Sequence, residues 1–197
     1  SPLLKIHLDS NDMPIRQYYS DEEISSVVEY ARQRHITIVT EVELPGHVSA
    51  LLASYPEFGC TGGPYAVENR TGIFSDVLCA GNDDIFSLYN AVFNTLCRLF
   101  PGKWIHIGGD ECPTERWQNC PTCQARMTKE GFTSPSQLQS WITEEMSSLI
   151  IAHNKIPIGW DEVLNTTEKY PLPESVVVQS WHGLEGGEKA ATLKHAV

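Results

Sequence analysis

The sequence predicts an α/β fold with parallel strands in a single domain. Three observations carry that expectation. Short runs rich in β-branched and aromatic residues alternate with longer runs of helical period, no tight hairpin turn joins neighbouring strand runs, and no Pro/Gly/Ser-rich linker divides residues 1–197. A chain of 197 residues is long enough to bury a substantial core.

The elements follow in order. LLKIHLD, residues 3–9, reads as a strand. SDEEISSVVEYARQR, 20–34, predicts a helix opened by a capping box, in which Ser20 is the N-cap and Glu23 reaches back to it. ITIVTEVEL, 36–44, is the next strand, VSALLASYP a short helix, and the glycine-rich stretch from Gly59 to about Gly72 a loop. Residues 82–100 place Ile85, Leu88, Tyr89, Val92, Leu96 and Leu99 on one helical stripe, which Pro101-Gly102 ends. KWIHI, 103–107, is a strand, and PTERWQNCPTC beyond it reads as loop. Residues 134–154 predict a helix with Pro135 in its first turn and a second capping box from Ser134 to Gln137. IPIGW, 156–160, and SVVVQSW, 175–181, are strands, and GGEKAATLKHAV is a closing helical segment.

Composition narrows the function. The formal net charge is −11 and no basic stripe is present, which argues against nucleic acid and anionic membrane surfaces as partners. No apolar run is long enough to cross a bilayer as a helix, and the first residues do not read as a signal peptide. Cys112, Cys120 and Cys123 have the spacing of zinc ligands without an evident fourth; a local disulfide or free thiols are the alternatives. Two glycosylation sequons begin at Asn69 and Asn165; chance supplies about one in such a chain, so they say little.

Polar and aromatic residues gather where the strands end. Asp9 follows the first strand, His47 the second in ELPGH, and Asp110 and Glu111 the third in HIGGDEC; Trp160 and Trp181 end the fourth and fifth. Parallel sheets and (β/α)8 barrels build their sites at these carboxyl ends. Singly, each residue has an ordinary reading: a core tryptophan, a structural histidine, a solvated or helix-capping acid. Their coincidence at every strand end carries the case. Two carboxylates in one cleft raise the pKa of one of them, leaving a protonated acid able to serve a glycosidic leaving oxygen. Flat tryptophan faces suit the C–H face of a sugar.

These stretches resemble the catalytic domain of family 20 glycoside hydrolases, the β-N-acetylhexosaminidases. The likeness runs through YYSDEEISSVVEYARQRHITIVTEVELPGHVSA, LCAGNDDIFSLYNAVFNTLCRLFPGKWIHIGGDECP, IPIGWDEVL and VVVQSWHGLEGG, with the motifs in the family's order. The resemblance implies a TIM (β/α)8 barrel, incomplete here, with strands resembling two to six of eight. It implies retaining, substrate-assisted hydrolysis of terminal β-linked N-acetylglucosamine or N-acetylgalactosamine, in which the substrate's acetamido oxygen forms an oxazolinium. Glu111 would be the general acid and base, Asp110 would hold the acetamido N–H, and His47 would orient Glu111. His106 would support that group, and Trp160 and Trp181 would wall the pocket. Asp9 matches the family's supporting acid after a one-residue shift, because HLDSNDMP departs from His-Leu-x-Asp-Asp. Thr40 and Glu43 stand where Pro and Asp are usual. No metal or cofactor is implied. The implied partners are N-acetylhexosamine-bearing glycans, together with a second copy or the remainder of the barrel. The implied location is secreted, periplasmic or lysosomal, and an incomplete barrel is expected to be a poor catalyst alone.

Three other readings compete. GGDEF-type cyclases continue the signature with Phe on a hairpin, whereas Cys112 follows here and DDIFSLYN has helical period. A non-catalytic carbohydrate-binding relic of the same fold would keep the pocket without the reaction. A zinc hydrolase would use His106 with the cysteines.

Overall fold

The computed structural model describes residues 7–8, 14–15, 18–166 and 169–197, with side chains described from Tyr18 onward. Its centre is a four-stranded parallel sheet in the order β3-β4-β5-β6. Before it come β1 (His7–Leu8), β2 (Pro14–Ile15) and α1 (Asp21–Arg32). Then follow β3 (Thr40–Leu44), α2 (Ser49–Ser54), a short 3-10 turn at Pro56–Phe58, α3 (Asp84–Leu99) and β4 (Trp104–Gly108). The chain continues through α4 (Glu115–Asn119), α5 (Pro121–Glu130), α6 (Ser136–Ala152) and β5 (Ile156–Trp160). β6 (Val177–Gln179) and α7 (Leu184–Thr192) close the fold. Strand–helix–strand units with parallel pairing make this an α/β fold of barrel type. Among the described residues β3 has no strand partner on its outer edge, and Ile36 and Val39 just before it are exposed.

The register sets the height of every strand end. Glu41 pairs with His106, which pairs with Ile158; Ile158 pairs with Val177 and Trp160 with Gln179. Consecutive strands therefore deliver their last residues to one rim.

The core explains which helices form. α3 buries Ile85, Tyr89 and Phe93 at four-residue spacing against α6 and the sheet, so Phe93, outside the expected stripe, lies at its centre. α6 buries Leu138, Trp141, Ile142, Met146 and Ile150 and packs against β5. Removing the Phe93 ring would cost about 3–5 kcal/mol. α1 carries the expected capping box: Ser20 Oγ accepts the Glu23 N–H at 3.2 Å and Glu23 accepts the Ser20 N–H at 2.7 Å.

Four expectations need correction. Within the run 3–9 the described strand is His7–Leu8, and it pairs antiparallel with Pro14–Ile15 rather than joining the parallel sheet. The strands expected at 36–44 and 175–181 shrink to Thr40–Leu44 and Val177–Gln179, the residues that find ladder partners. The presumed loop after Cys112 holds two helices. Pro121 opens α5 and Gly131, at φ 71°, closes it; Cys123, Arg126 and Met127 form its short buried face. Arg126 is buried because Asp83 pairs with it and the Trp141 ring lies 4.5 Å from its guanidinium. The second capping box is half made: Gln137 Oε1 accepts the Ser134 and Thr133 N–H groups, while Ser134 Oγ turns to Ser136.

Candidate active site

Two turns build the site, one after β3 and one after β4. Pro45-Gly46-His47 and Gly108-Gly109-Asp110-Glu111 pack face to face. A Cβ on Gly46 would stand 3.4 Å from the Asp110 carbonyl oxygen and the Cys112 Cα, so the two turns lie about one methyl's width apart. Gly108 and Gly109 adopt φ 66° and 95°, and a side chain on Gly108 would overlap Glu43 Oε2. His47 and Glu111 are themselves left-handed, at φ 53° and 45°. Among the described residues, the three other non-glycine residues with positive φ, His35, Asn154 and Lys194, lie just past helix ends, where that conformation is ordinary. Neighbouring helices fix both turns: Tyr89 OH donates to the Glu43 carbonyl at 2.7 Å, and Gln139 Nε2 to the Gly109 carbonyl at 2.8 Å.

The imidazole of His47 stands among three carboxylates. Its Nδ1 is 3.6 Å from Glu43 Oε1 and 3.7 Å from Asp110 Oδ2, and its Nε2 is 3.4 Å from Glu111 Oε2. Burial, and then the Asp110 charge, push the Glu43 carboxyl up to about 7; Glu41 adds to this and His47 opposes it. The sequence placed the raised acid within the Asp110–Glu111 pair; the carboxyl that the structure raises is Glu43. Glu43 Oε2 and Asp110 Oδ1 are buried acceptors without a hydrogen-bond partner.

One strand further along, His106 is buried with Nδ1 accepting the Gly108 N–H at 2.9 Å. Burial holds it below the ordinary imidazole range, against the pull of Glu41 and Asp110. An Nδ1 that accepts the Gly108 N–H leaves the ring proton to Nε2. Glu41 Oε1 lies 3.3 Å from the same Nδ1, but that lone pair already serves Gly108; Glu41 accepts instead from Trp160 Nε1 at 2.9 Å. The Trp160 ring sits 4.9 Å from His106 and 6.5 Å from Trp181, edge to face with the latter.

Trp181 is held from below. Buried Asp161 receives the backbone N–H groups of Trp181 and His182 at 3.2 and 3.3 Å, the Ser180 hydroxyl at 3.2 Å, and pairs with His182 Nδ1 at 2.7 Å. Burial works to raise Asp161, but these hydrogen bonds outweigh it and leave the carboxyl below its usual range. The same contact with Asp161 raises His182, with Glu162 and Glu111 adding to it. Trp181 Nε1 donates to Glu162 at 2.9 Å, and burial raises the Glu162 carboxyl.

The structure brings together His47, His106, Asp110, Glu111, Trp160 and Trp181 along one rim; Asp9 lies outside the described residues. Sequence reasoning missed Glu41, Asp161, Glu162 and His182 as members of the site, and gave Glu43 no role. A signal for two of them was present. In TEVEL, acids at alternate positions of a strand share one face, which is unusual in a parallel sheet covered on both sides. The proposed zinc groupings are not brought together. Cys112 contacts its neighbour Pro113, whereas Cys120 and Cys123 gather with Cys60 and Cys79 rather than with Cys112 or His106.

A family model described as the catalytic domain of glycosyl hydrolase family 20 matches residues 5–197. A β-hexosaminidase of Porphyromonas gingivalis is 39% identical over 180 residues, which are 91% of this chain and 23% of that protein. The crystal structure of a β-N-acetylhexosaminidase from Bacteroides fragilis superposes with TM-score 0.81 at 32% identity, covering 90% of this chain and 35% of the other. A chitobiase from Flavobacterium johnsoniae gives TM-score 0.77 at 37% identity, over 86% and 25% respectively. The chain thus spans about a quarter of the length of the Porphyromonas relative.

Proposed function

The chain belongs to glycosyl hydrolase family 20, and from that premise we propose that its site hydrolyses terminal β-linked N-acetylhexosamine residues of oligosaccharides or glycoconjugates, with retention and with help from the substrate. The observation that carries this reading is His47 bridging Glu111 and Asp110 at the carboxyl ends of β3 and β4, beside the Trp160–Trp181 pair.

Glu111 donates its proton to the glycosidic oxygen as the C1–O bond breaks and the bonding pair leaves with that oxygen. The substrate's own acetamido oxygen forms the new bond to C1, so the protein supplies no nucleophile. Asp110 accepts the acetamido N–H and stabilises the positive charge of the oxazolinium; its Oδ1, buried and without a partner, is an acceptor awaiting such a donor. The Glu111 carboxylate then takes a proton from water as that water attacks C1, reopening the ring and restoring both groups. His47 holds Glu111 and Asp110 in register. Trp160 and Trp181 offer apolar faces to the sugar and its acetamido methyl.

Release of the chromophore from an aryl N-acetyl-β-glucosaminide tests this, with Glu111→Gln beside the wild type. The variant should lose about 100- to 10,000-fold in rate. Rates that are equal in the two proteins, or absent from both, would overturn the catalytic reading. In the second case, calorimetric binding of N-acetylglucosamine would indicate a carbohydrate-binding role for the same rim.

A further inference from the structure

Away from the acid rim, Cys60, Cys79, Cys120 and Cys123 converge from three separate segments, and all four Sγ atoms lie within 4.8 Å of one another. Cys79 Sγ is 3.7 Å from those of both Cys120 and Cys123, and Cys60 Sγ is 3.8 Å from that of Cys123. A metal ion with four thiolates at about 2.3 Å in a tetrahedron separates its sulfurs by about 3.8 Å. A disulfide would bring a pair to about 2.05 Å. The cluster thus has the spacing of the edges of a metal tetrathiolate.

We propose that these four cysteines bind one zinc ion in a closed, structural site, independent of the glycosidase reading. The surroundings fit a metal ligand set. The chain turns directly after Cys79, where the Asn82 N–H donates to the Cys79 carbonyl at 3.0 Å. A Cβ on Gly81 would overlap the Thr122 carbonyl and stand 2.7 Å from the Cys123 nitrogen, so this glycine lets the two cysteine-bearing turns close on each other. Cys120 caps α5 and Cys123 lies in its first turn, where the helix N-terminus favours thiolate. Gly59 bridges to Leu78, and the Cys79 N–H donates to the Phe58 carbonyl at 2.7 Å, holding Cys60 beside Cys79. Cys79, Cys120 and Cys123 are buried, Cys60 is half-buried, and a cleft of about 230 Å³ lined by Cys60, Ser75, Glu115, Arg116 and Cys120 gives an ion a path in. An all-thiolate tetrahedral set selects zinc over hard cations. Binding replaces four S–H bonds by four Zn–S bonds and releases the protons without change of oxidation state.

The site would staple both catalytic turns. Leu78, next to Cys79, donates its N–H to the Pro45 carbonyl beside His47 at 3.0 Å, and Cys120 lies on the segment that follows Glu111.

Zinc content by plasma mass spectrometry tests the assignment, on protein purified in reductant and passed through metal-free buffer. One zinc per chain is expected. Cys120→Ser combined with Cys123→Ser should abolish it, whereas Cys97→Ser and Cys112→Ser should each retain it. Should the double variant fail to fold, the wild type still decides. Exchange with Co²⁺ should give thiolate-to-cobalt charge-transfer absorption and tetrahedral d–d bands, and a mercurial should release the metal as it titrates the thiols. Metal-free protein in which all six cysteines alkylate, or with a mass lowered by four hydrogens through two disulfides, would overturn the proposal. So would full zinc retention in the double variant.

Discussion

Glu43→Gln should alter how stability depends on pH. Burial first, then Asp110, lift the Glu43 carboxyl from 4.5 to about 7 while His47 opposes them. Between those values the folded chain keeps a proton that the unfolded chain has released. More protons bound in the folded state means that stability is greatest below about pH 4.5, falls as pH rises through the window, and levels off above about 7. The slope is up to about 1.4 kcal/mol per pH unit, and the whole loss amounts to about 2–3 kcal/mol for a side chain only partly open to water. Glutamine keeps the shape and has no such proton. The stability of the variant relative to wild type should therefore rise by about 2–3 kcal/mol between about pH 5 and about pH 8. Urea unfolding followed by tryptophan fluorescence measures this at each pH. A difference that stays constant across the range would refute the reasoning, because it would mean that Glu43 titrates alike in the folded and unfolded chains.

Further outcomes follow from the same geometry. Gly108→Ala should lower stability by about 1–3 kcal/mol, by forcing a side chain into φ 66° and against Glu43, and thermal melting reads the loss. Trp181→Ala should weaken N-acetylglucosamine binding about 2- to 10-fold by calorimetry, in line with about 0.5–1.5 kcal/mol for an aromatic contact, while leaving the melting temperature nearly unchanged because the residue is 46% exposed. Ser20→Ala should cost about 1 kcal/mol in chemical denaturation through loss of the α1 cap, with no effect on catalysis.

Periodic and punctuated elements were the legible ones. The Ser20–Glu23 box and the IPIGW strand carry their geometry in local spacing and form as spaced; the α3 helix forms too, but its buried face centres on Ile85, Tyr89 and Phe93 rather than on the whole expected stripe. The rim was legible because strand ends in a parallel sheet must converge, which placed His47, Asp110, Glu111, Trp160 and Trp181 without any contact being known. α4 and α5 were not, since their buried faces are short and depend on tertiary partners such as Asp83 and Trp141 for Arg126. The cysteine partners were hidden for the same reason. Cys60 and Cys79 meet the C-x-x-C only through the Gly59–Leu78 bridge and the close approach at Gly81, neither of which leaves a mark in spacing.

On the proposed function, the left-handed backbone at His47 and Glu111 sets stability against catalysis at two positions. Each such residue costs roughly 1 kcal/mol that a glycine there would partly recover. A laboratory selection scored on thermal survival alone would therefore enrich His47→Gly and Glu111→Gly, reaching sturdier proteins by discarding the reaction. Selection for turnover and for heat resistance would pull the same two codons in opposite directions.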